Sequence, residues 1–249
     1  MTKNKESTQF GTRTVTPDEK TNLVHGVFDS VASNYDIMND VMSGGLHRVW
    51  KVRFVRMIRP QPTDHILDVA GGTGDIAFRM KRRAPDAEIT ICDLTPAMLA
   101  EGRDRAIDKG WINDFEWITG NAADLPFEDN SFDIYTIAFG LRNVTRIDDA
   151  LAEAHRVLKP GGRFFCLEFS HVRPAPLAKA YDLYSHHIIP QMGKIIAKDE
   201  DSYQYLIESI RKFPKQHELC ERIEAAGFSR ARHTNLSAGI VAIHQGLKG

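Results

Sequence analysis

Apolar and polar positions alternate in blocks along residues 61–170, and this pattern predicts strands and helices in turn. Short apolar runs typical of buried strands begin at Ile66 and cover residues 88–93, 115–119, 132–139 and 163–168. Helical segments with their own start and stop signals separate these runs. Such alternation predicts an α/β fold, in which a parallel sheet is built through right-handed crossovers.

The end of the chain has a different pattern. A last helix is predicted between Pro214 and Gly227, and two apolar strands, residues 230–235 and 239–245, follow it. Only a few residues separate these strands, so they must pair antiparallel. Together with the preceding strands they predict a seven-stranded, mostly parallel, Rossmann-like sheet with a C-terminal antiparallel hairpin.

Two regions fall outside this alternation, residues 1–60 and about 170–213. The first contains a capping-box pattern at Thr16 and Glu19, which predicts a helical N-terminal region. The second is predicted to be a helical insertion in the main domain, residues 61–249. Segments over the carboxyl edge of a parallel sheet usually build the substrate pocket, so we expect both regions to act as substrate-binding lids.

Composition narrows the classes of protein that remain. The chain has 249 residues, 42% of them hydrophobic, and a net charge of -1, which suits one soluble α/β domain without a nucleic-acid partner. Its cysteines, at positions 92, 166 and 220, form no C-x-x-C pair and are predicted to be reduced thiols. We find no secretory signal, transit peptide or membrane span, so we expect a cytoplasmic protein.

Residues 66–75, ILDVAGGTGD, form the most informative segment of the chain. They predict a strand that enters a glycine-rich turn and then a helix, where the backbone can approach a ligand closely. About twenty residues further on, the second strand ends at Asp93, in the position where a carboxylate can hold ribose hydroxyls. A nucleoside-containing cofactor is the first functional inference.

The glycine turn alone fits two cofactors. Residues 72–77 match the G-x-G-x-x-G/A pattern of NAD-binding proteins, and a ligand-free turn is a third interpretation. Asp68 and Asp75 flank the turn, however, and a carboxylate pair would repel a pyrophosphate. The same pair suits the ammonium and sulfonium groups of S-adenosylmethionine, which we therefore favour.

A third strand ends near Asn121, a polar residue able to hydrogen-bond an adenine edge, with Leu125 and Phe127 as apolar neighbours. In order and spacing these motifs resemble the class I S-adenosylmethionine-dependent methyltransferases, with Ala70 in place of the first loop glycine and Asn121 where aspartate is frequent. The resemblance implies that fold and that cofactor. It also implies a set of cofactor-binding residues: Gly71, Gly72, Thr73, Gly74, Asp93, Leu94, Asn121, Ala122 and Ala138, the last a serine in some relatives.

Four further segments make the resemblance more specific. Residues 35–50 read YDIMNDVMSGGLHRVW, residues 156–170 read RVLKPGGRFFCLEFS, and residues 139–144 and 201–210 read FGLRNV and DSYQYLIESI. They resemble the ubiquinone/menaquinone biosynthesis C-methyltransferase family over nearly the whole chain. The resemblance implies methylation of a ring carbon in a polyprenylated benzoquinol or a demethylmenaquinol.

Candidate catalytic residues follow from that chemistry. Arg142 is too basic to act as a base, so we predict that it stabilises a developing phenolate or orients a water; a structural salt bridge is the alternative. His186, with His187 beside it, could serve as a base, and Glu168 could orient another group; packing or structural roles remain open for each. The candidate substrate contacts are Tyr35, Asn39, His47, Trp50, Asn143 and Tyr181. We expect no metal, since the histidine-rich stretch lacks metal-ligand spacing.

The sequence leaves alternative functions open and also suggests partners for the protein. A methyltransferase for another phenolic or sterol-like acceptor would keep the core motifs, an NAD-dependent oxidoreductase remains a distant alternative, and an accessory subunit would have lost the glycine turn. A polyprenyl tail requires an apolar groove and transient contact with the inner membrane face. Residues 177–196 and 41–58 combine aliphatic and basic residues and are the candidate contacts. A homodimer or a quinone-biosynthesis complex is also expected.

Overall fold

The structure is a computed structural model that describes residues 45–172 and 208–249, together with residues 8–10, 13–16, 19, 26, 43 and 205. The strands are β1 (Thr8–Phe10), β2 (Arg13–Val15), β3 (His65–Val69), β4 (Glu88–Asp93), β5 (Phe115–Thr119), β6 (Phe132–Ala138), β7 (Leu158–Phe169), β8 (Phe228–Leu236) and β9 (Val241–Lys248). The helices are α1 (Leu46–Ile58), α2 (Asp75–Lys81), α3 (Pro96–Ile107), α4 (Ile147–Val157) and α5 (Gln216–Ala225). Short 3-10 turns cover Leu141–Asn143 and Ser237–Gly239.

The main sheet confirms the predicted fold class. Its seven strands lie in the order β5-β4-β3-β6-β7-β9-β8. Strands β3 to β7 pair in parallel, whereas β9 pairs antiparallel with both β7 and β8. Because β3 lies between β4 and β6, the carboxyl ends of these three strands meet at one point of the sheet edge, where such folds place their ligands.

Alternating side chains along β3 fill two separate cores. Ile66 packs with the apolar side chains of α1, α2 and α3, whereas the next residue, Leu67, packs on the other face with those of α4 and α5. Helix α4 shows why these segments are helical: Ala150, Leu151 and Ala154 form a buried stripe at helical spacing, and two aspartates occupy its first turn. The two layers of helices hold the sheet and fix the positions of its loops.

Helix α1 belongs to the domain core, although it precedes the first strand of the main sheet. Its buried face includes Trp50, Phe54 and Ile58, and the ring of Phe54 meets that of Phe165 on β7 edge to face, with centroids 6.5 Å apart. The division at residue 60 therefore does not mark a separate packing unit for residues 46–58. Docking of α1 brings Lys51 to the site edge of the sheet.

The structure confirms one prediction for the N-terminal region, the capping box, and differs from another, its helical secondary structure. The capping box is confirmed, since the backbone N–H of Thr16 donates to Glu19 Oε2 (2.8 Å) and that of Glu19 to Thr16 Oγ1 (3.3 Å). The helical description of residues 1–60 does not hold for residues 8–10 and 13–15, because β1 and β2 form an antiparallel pair there, with Phe10 opposite Arg13. The β-branched residues Thr8, Thr14 and Val15 were a local strand signal.

Candidate cofactor and substrate site

A pocket opens at the carboxyl ends of β3, β4 and β6. It is lined by the glycine turn, by the residues that follow β4 and β5, by the end of β6 and the turn after it, and by one residue of α1. The lining residues are Lys51, Asp68, Val69, Ala70, Gly71, Gly72, Thr73, Asp75, Ile76, Asp93, Leu94, Thr95, Met98, Gly120, Asn121, Ala122, Ala138, Phe139, Gly140, Asn143, Val144 and Thr145. Eight of the nine residues that the resemblance implied for the cofactor lie in this wall, and the ninth, Gly74, caps α2 at the end of the glycine turn without lining it.

The glycine turn needs small residues for steric reasons. A Cβ on Gly71 would lie 2.7 Å from Ile91 Cγ2 and 3.0 Å from the carbonyl oxygen of Asp68. Gly72 and Gly74 have positive φ angles of 51° and 81°. Ala70, the departure from the glycine pattern, also has a positive φ of 51°, which is strained for a residue with a Cβ. The turn therefore has the predicted conformation at some cost in backbone strain.

Asp93 is held by the turn that it faces. Its Oδ2 accepts the N–H of Gly72 at 2.8 Å, and its Oδ1 accepts the N–H of Thr95 at 2.9 Å. These bonds fix the carboxylate at the tip of β4, between the glycine turn and the start of α3. A ribose ligand would therefore meet a carboxylate that already organises the pocket wall.

Asp68 supplies a buried acid at the floor of the pocket. Its Oδ1 accepts the hydroxyl of Thr136 at 2.6 Å, whereas its Oδ2 has no hydrogen-bond partner among the described residues. Burial, reinforced by the charges of Asp75 and Asp93, raises the pKa of Asp68 to about 7. A buried carboxyl oxygen without a partner is costly, and a cationic ligand would relieve that cost.

Asp75 differs from Asp68, because cations already compensate it. Lys51 Nζ lies 2.9 Å from its Oδ2, and Arg79 Nε lies 3.0 Å from its Oδ1. Burial alone would raise the pKa of Asp75, but these two cations outweigh it and lower the pKa to about 2. The charge of Asp75 is therefore largely offset, and its share in repelling a pyrophosphate is smaller than its position in the sequence suggested.

The remaining cofactor candidates have defined local roles. Thr73 is buried and accepts a hydrogen bond from Arg105 Nη1 at 2.8 Å. Asn121 Oδ1 accepts the N–H of Ala123 at 3.0 Å, which closes a local turn after β5. Leu94 and Ala122 supply apolar wall on the same side. The side-chain nitrogen of Asn121 is the group suited to an adenine ring nitrogen.

Arg142 forms a buried salt bridge and is absent from the pocket wall. Its Nη1 lies 2.9 Å from Glu168 Oε1 and also donates to the carbonyl of Phe139, while its backbone N–H donates to Glu168 Oε2 at 3.2 Å. The guanidinium stacks over the Phe169 ring, 5.5 Å from its centroid. Burial raises the pKa of Glu168, although Arg142 opposes this effect. This geometry matches the structural alternative and ties the turn after β6 to the end of β7.

Asn143, next to Arg142, does line the pocket. Its Oδ1 accepts the hydroxyl of Tyr205 at 3.2 Å. Burial raises the pKa of Tyr205 to about 12, so this hydroxyl stays protonated and donates. The amide oxygen of Asn143 is thereby oriented towards Tyr205, and its amide nitrogen remains suited to a ligand oxygen. Sequence reasoning included Tyr205 in a family segment but did not single it out.

His47 and Trp50 are buried and do not line the pocket. The Trp50 indole N–H donates to Ser237 Oγ at 2.8 Å, and its ring meets Phe169 edge to face at 6.2 Å. His47 Nδ1 lies 2.9 Å from Ser43 Oγ. Both were predicted to contact the substrate; Trp50 packs in the apolar core, His47 is buried beside Ser43, and their contact with a substrate stays a prediction. Leu125 and Phe127 likewise pack in the core beside β6, away from this wall.

Several predicted residues lie outside the described part of the chain: Tyr35, Asn39, Tyr181, His186 and His187.

The pocket also contains a residue that the sequence interpretation missed. Lys51 is buried on α1, lines the pocket and pairs with Asp75. Its position directly after the 35–50 segment was the available signal, but a lysine on an amphipathic helix is usually solvated.

The geometry of this pocket fits S-adenosylmethionine. A half-buried carboxylate stands at the tip of β4, an acid with one unpartnered oxygen lies at the floor, and Gly71 in the turn between them has no room for a Cβ. Similar architecture is found in solved structures. An S-adenosylmethionine-dependent methyltransferase from Thermotoga maritima has a TM-score of 0.62 at 16% identity, covering 91% of this chain and all of that one. A phosphoethanolamine N-methyltransferase from Haemonchus contortus in complex with S-adenosyl-L-methionine has a TM-score of 0.59 at 15% identity, covering 80% of this chain and 52% of that one.

Fold and pocket together define a class I S-adenosylmethionine-dependent methyltransferase. The model of the ubiE/COQ5 methyltransferase family matches residues 14–248, and the chain belongs to that family. It is 56% identical over 243 residues to the ubiquinone/menaquinone biosynthesis C-methyltransferase UbiE of Dinoroseobacter shibae, covering 98% of this chain and 97% of that protein. The protein of the same name from Paracoccus denitrificans is 57% identical, with the same coverage.

Proposed function

We propose that this protein transfers a methyl group from S-adenosylmethionine to a ring carbon of a polyprenylated benzoquinol or a demethylmenaquinol. One observation carries the proposal: the glycine turn and the FGLRNV segment, a family-specific pattern, line the same pocket. Phe139, Gly140, Asn143 and Val144 of that segment lie beside Ala138 at the end of β6. A substrate held there would meet the reactive end of a cofactor held by the turn.

S-adenosylmethionine supplies an electrophilic methyl group when bound. The chain's own residues then have separable tasks. Asp93 and Asn121 hold the nucleoside end, and Asp68 offers a carboxyl group to its positive charge. Placement of the reacting carbon within about 3–3.5 Å of the methyl group supplies much of the acceleration. The pocket therefore acts mainly by positioning.

Asn143 is the described residue best placed to contact a quinol oxygen. Its amide oxygen is engaged by Tyr205, which directs its amide nitrogen to donate a hydrogen bond to a ligand oxygen. Donation to a phenolic oxygen favours the charge that develops there as the proton leaves. Arg142 then acts as a positioning residue, because its bonds to Phe139 and Glu168 fix the turn that carries Asn143. The base remains unassigned among the described residues, and His186 stays a prediction.

The test uses the purified full chain, S-adenosylmethionine and chemically reduced short-tailed quinol acceptors. Mass spectrometry and NMR of the product should show a new methyl group on a ring carbon. Asn143→Ala should lower kcat at least about tenfold while S-adenosylmethionine affinity holds. Asn113→Ala, an exposed asparagine elsewhere, serves as the matched control. An O-methylated product would instead favour another phenolic acceptor, and turnover of neither quinol class would overturn the proposal.

Reversible membrane contact forms part of this proposal, and α1 supports it. No described helix is long and apolar enough to span a bilayer. The outer face of α1, however, exposes Leu46 and Val49, the latter 63% exposed, with Arg53 and Arg56 on the same stripe at helical spacing. Apolar side chains next to cations suit an interface with anionic lipid. The same helix contributes Lys51 to the pocket, so such contact would bring the site to a membrane-dissolved tail.

Liposome sedimentation tests this contact. Vesicles containing anionic lipid should bind the wild type weakly, and added salt should weaken the binding further. Leu46→Ser together with Val49→Ser should abolish it, whereas Ile107→Ser with Ile112→Ser, two exposed isoleucines elsewhere, should not. Activity on a long-tailed quinol should fall more than activity on a short-tailed one. Equal binding by both double variants would remove α1 from the membrane contact.

A further inference from the structure

A group of three potential metal ligands lies on the C-terminal side of the sheet. Cys220 on α5, His233 on β8 and His244 on β9 each offer a ligand atom, and these atoms lie within 4.8 Å of one another. None of the three lines the pocket described above. The proposed methyl transfer gives them no role.

Strand pairing produces this group. His233 and His244 are direct partners in the antiparallel register of β8 and β9, so their side chains lie on the same face, with ring centroids 5.8 Å apart. Helix α5 packs against these strands and presents Cys220, whose Sγ lies 3.6 Å from His233 Nδ1. A tetrahedral ion with ordinary Zn–S and Zn–N bond lengths holds sulfur and nitrogen about 3.6 Å apart. The observed spacing between these two atoms therefore suits such an ion.

His244 provides a second, independent observation. The residue is 1% exposed, its Nε2 lies 3.1 Å from the carbonyl oxygen of Gln216, and its Nδ1 has no hydrogen-bond partner among the described residues. The carbonyl fixes the tautomer, because Nε2 must carry the proton to donate to it. Nδ1 is then left with an unused lone pair in a buried position. Metal-binding histidines typically show this arrangement, with one ring nitrogen on a backbone carbonyl and the other on the ion.

Charge and access also favour a cation. Glu221 and Glu224 lie on the same helix as Cys220 and add negative charge near it. A bound divalent ion would offset that negative potential and displace the thiol proton to solvent. Cys220 and His233 are both half-buried, so an ion can reach them from solvent, and a water can take a fourth position.

We propose that Cys220, His233 and His244 form a zinc-type metal site that fastens α5 to the C-terminal hairpin. The ligand set of one sulfur and two imidazole nitrogens favours Zn²⁺ over harder cations. The site is structural, because it joins β8, β9 and α5 away from the cofactor pocket. The proposal differs from the expectation of no metal, which considered only the spacing within the histidine-rich stretch.

The test titrates the metal alone into full-length protein that has been stripped with a chelator. One equivalent of Co²⁺ should give a near-ultraviolet thiolate-to-cobalt absorption, and Zn²⁺ should displace it. Cys220→Ser should abolish this absorption and weaken Zn²⁺ binding at least about tenfold. His233→Ala should weaken binding similarly but retain the absorption. His217→Ala, on the exposed side of the same helix, is the matched control and should behave as the wild type.

Two results would overturn the site. If Co²⁺ gives no thiolate absorption in the wild type, the cluster is only a hydrogen bond between a thiol and an imidazole. If Cys220→Ser binds Zn²⁺ as tightly as the wild type, the ion is held elsewhere. A second measurement needs no variant: Cys220 is the least buried of the three cysteines, so Zn²⁺ should slow its alkylation at least about tenfold. An unchanged alkylation rate contradicts the proposal.

Discussion

Lys51 Nζ lies 2.9 Å from Asp75 Oδ2, and this ion pair joins α1 to the first turn of α2 at the wall of the cofactor pocket. The pair is buried on the lysine side and about a quarter exposed on the aspartate side. It fixes the N-terminal helix to the glycine turn by a contact between charges. Docking of α1 and the shape of the pocket are therefore linked.

Removal of either Lys51 or Asp75 should weaken both the docking of α1 and the wall of the pocket. Lys51→Met leaves Asp75 with Arg79 alone, and we expect a loss of about 1.5–3 kcal/mol in the free energy of unfolding, the range for a charged hydrogen bond. S-adenosylmethionine affinity should fall as well, because the turn loses support. Denaturant unfolding of Lys51→Met, Asp75→Asn and the double variant gives the coupling energy. Strict additivity of the two single changes would show that the pair contributes nothing.

The dependence of protein stability on acidic pH should reveal the contribution of the Asp75 carboxylate. The pKa of Asp75 lies at about 2 in the folded protein, below its ordinary value of 3.8. Its ionised form therefore stabilises the fold above about pH 4, and this contribution is lost as pH falls through about 2. In Asp75→Asn that part of the acid dependence should be absent. Unfolding curves between about pH 5 and 2 measure it, and identical slopes for the wild type and the variant would contradict the assignment.

The sequence predicted much of this pocket because its signals are local. A glycine turn must follow a strand, and a carboxylate must end the next one, so Gly72 and Asp93 could be placed before their 2.8 Å contact was known. The C-terminal hairpin was equally predictable, because few residues separate its strands. Strand β7 was predicted too short, since Pro160 and two glycines suggested a turn; an irregularity in its pairing with β6 accommodates them.

Contacts between distant segments could not be predicted in this way. The family segment before Lys51 points to the site but not to burial of the lysine, because its environment depends on how α1 docks on β7. Arg142 and Glu168 belong to two separate family segments, and only the pairing of β6 with β7 makes them a salt bridge. The Cys220 group likewise depends on the register of β8 and β9.

Binding of S-adenosylmethionine should release protons near neutral pH. The pKa of Asp68 is raised to about 7 by burial, so the carboxyl is partly protonated there before a ligand arrives. A cationic ligand favours the ionised form, which expels the proton and makes affinity rise with pH up to about 7. Calorimetry in buffers of different ionisation enthalpy counts the protons released. Asp68→Asn should remove this dependence, and a wild type without proton release would exclude Asp68 from the ligand's surroundings.

Asp93 should contribute both to S-adenosylmethionine affinity and to the conformation of the glycine turn. Asp93→Ala removes the acceptor for the N–H groups of Gly72 and Thr95, so we expect S-adenosylmethionine to bind more weakly by about 1.5–3 kcal/mol. Asp93→Asn keeps one oxygen acceptor and should lose less. Calorimetry gives both values, with thermal unfolding as a check of the fold. Unchanged affinity in a folded Asp93→Ala would show that this carboxylate does not hold the ribose.

Arg142 requires a paired design, because its removal leaves Glu168 buried without a counter-charge. Arg142→Ala should destabilise the fold by about 3–5 kcal/mol. Arg142→Met combined with Glu168→Gln removes both charges and should recover most of that loss. Turnover of the double variant then separates the two roles. We expect unchanged S-adenosylmethionine affinity and a kcat at least about tenfold lower, since the turn that carries Asn143 loses its tie. Full turnover would leave Arg142 with a stabilising role alone.

Ala70 has a strained backbone and lies next to Gly140 in space, so the effect of a substitution at Gly140 should depend on the side chain at position 70. A Cβ added to Gly140 would lie only 2.4 Å from the Cβ of Ala70, and both residues line the pocket. Gly140→Ala should therefore displace the glycine turn and weaken S-adenosylmethionine binding. Ala70→Gly removes the obstructing Cβ and relieves the positive φ of 51°, although it adds entropy to the unfolded chain.

The combination of the two changes tests this dependence. If the clash between the two methyl groups is the cause, Ala70→Gly should restore binding to a protein that carries Gly140→Ala. Gly161→Ala is a suitable control, because Gly161 has a positive φ but no atom within 4 Å of an added Cβ, so it adds backbone strain without a clash. It should lower stability, and Ala70→Gly should not rescue it. Equal rescue of both variants would mean that Ala70→Gly acts through general stability, and the contact with Gly140 would then not shape the pocket.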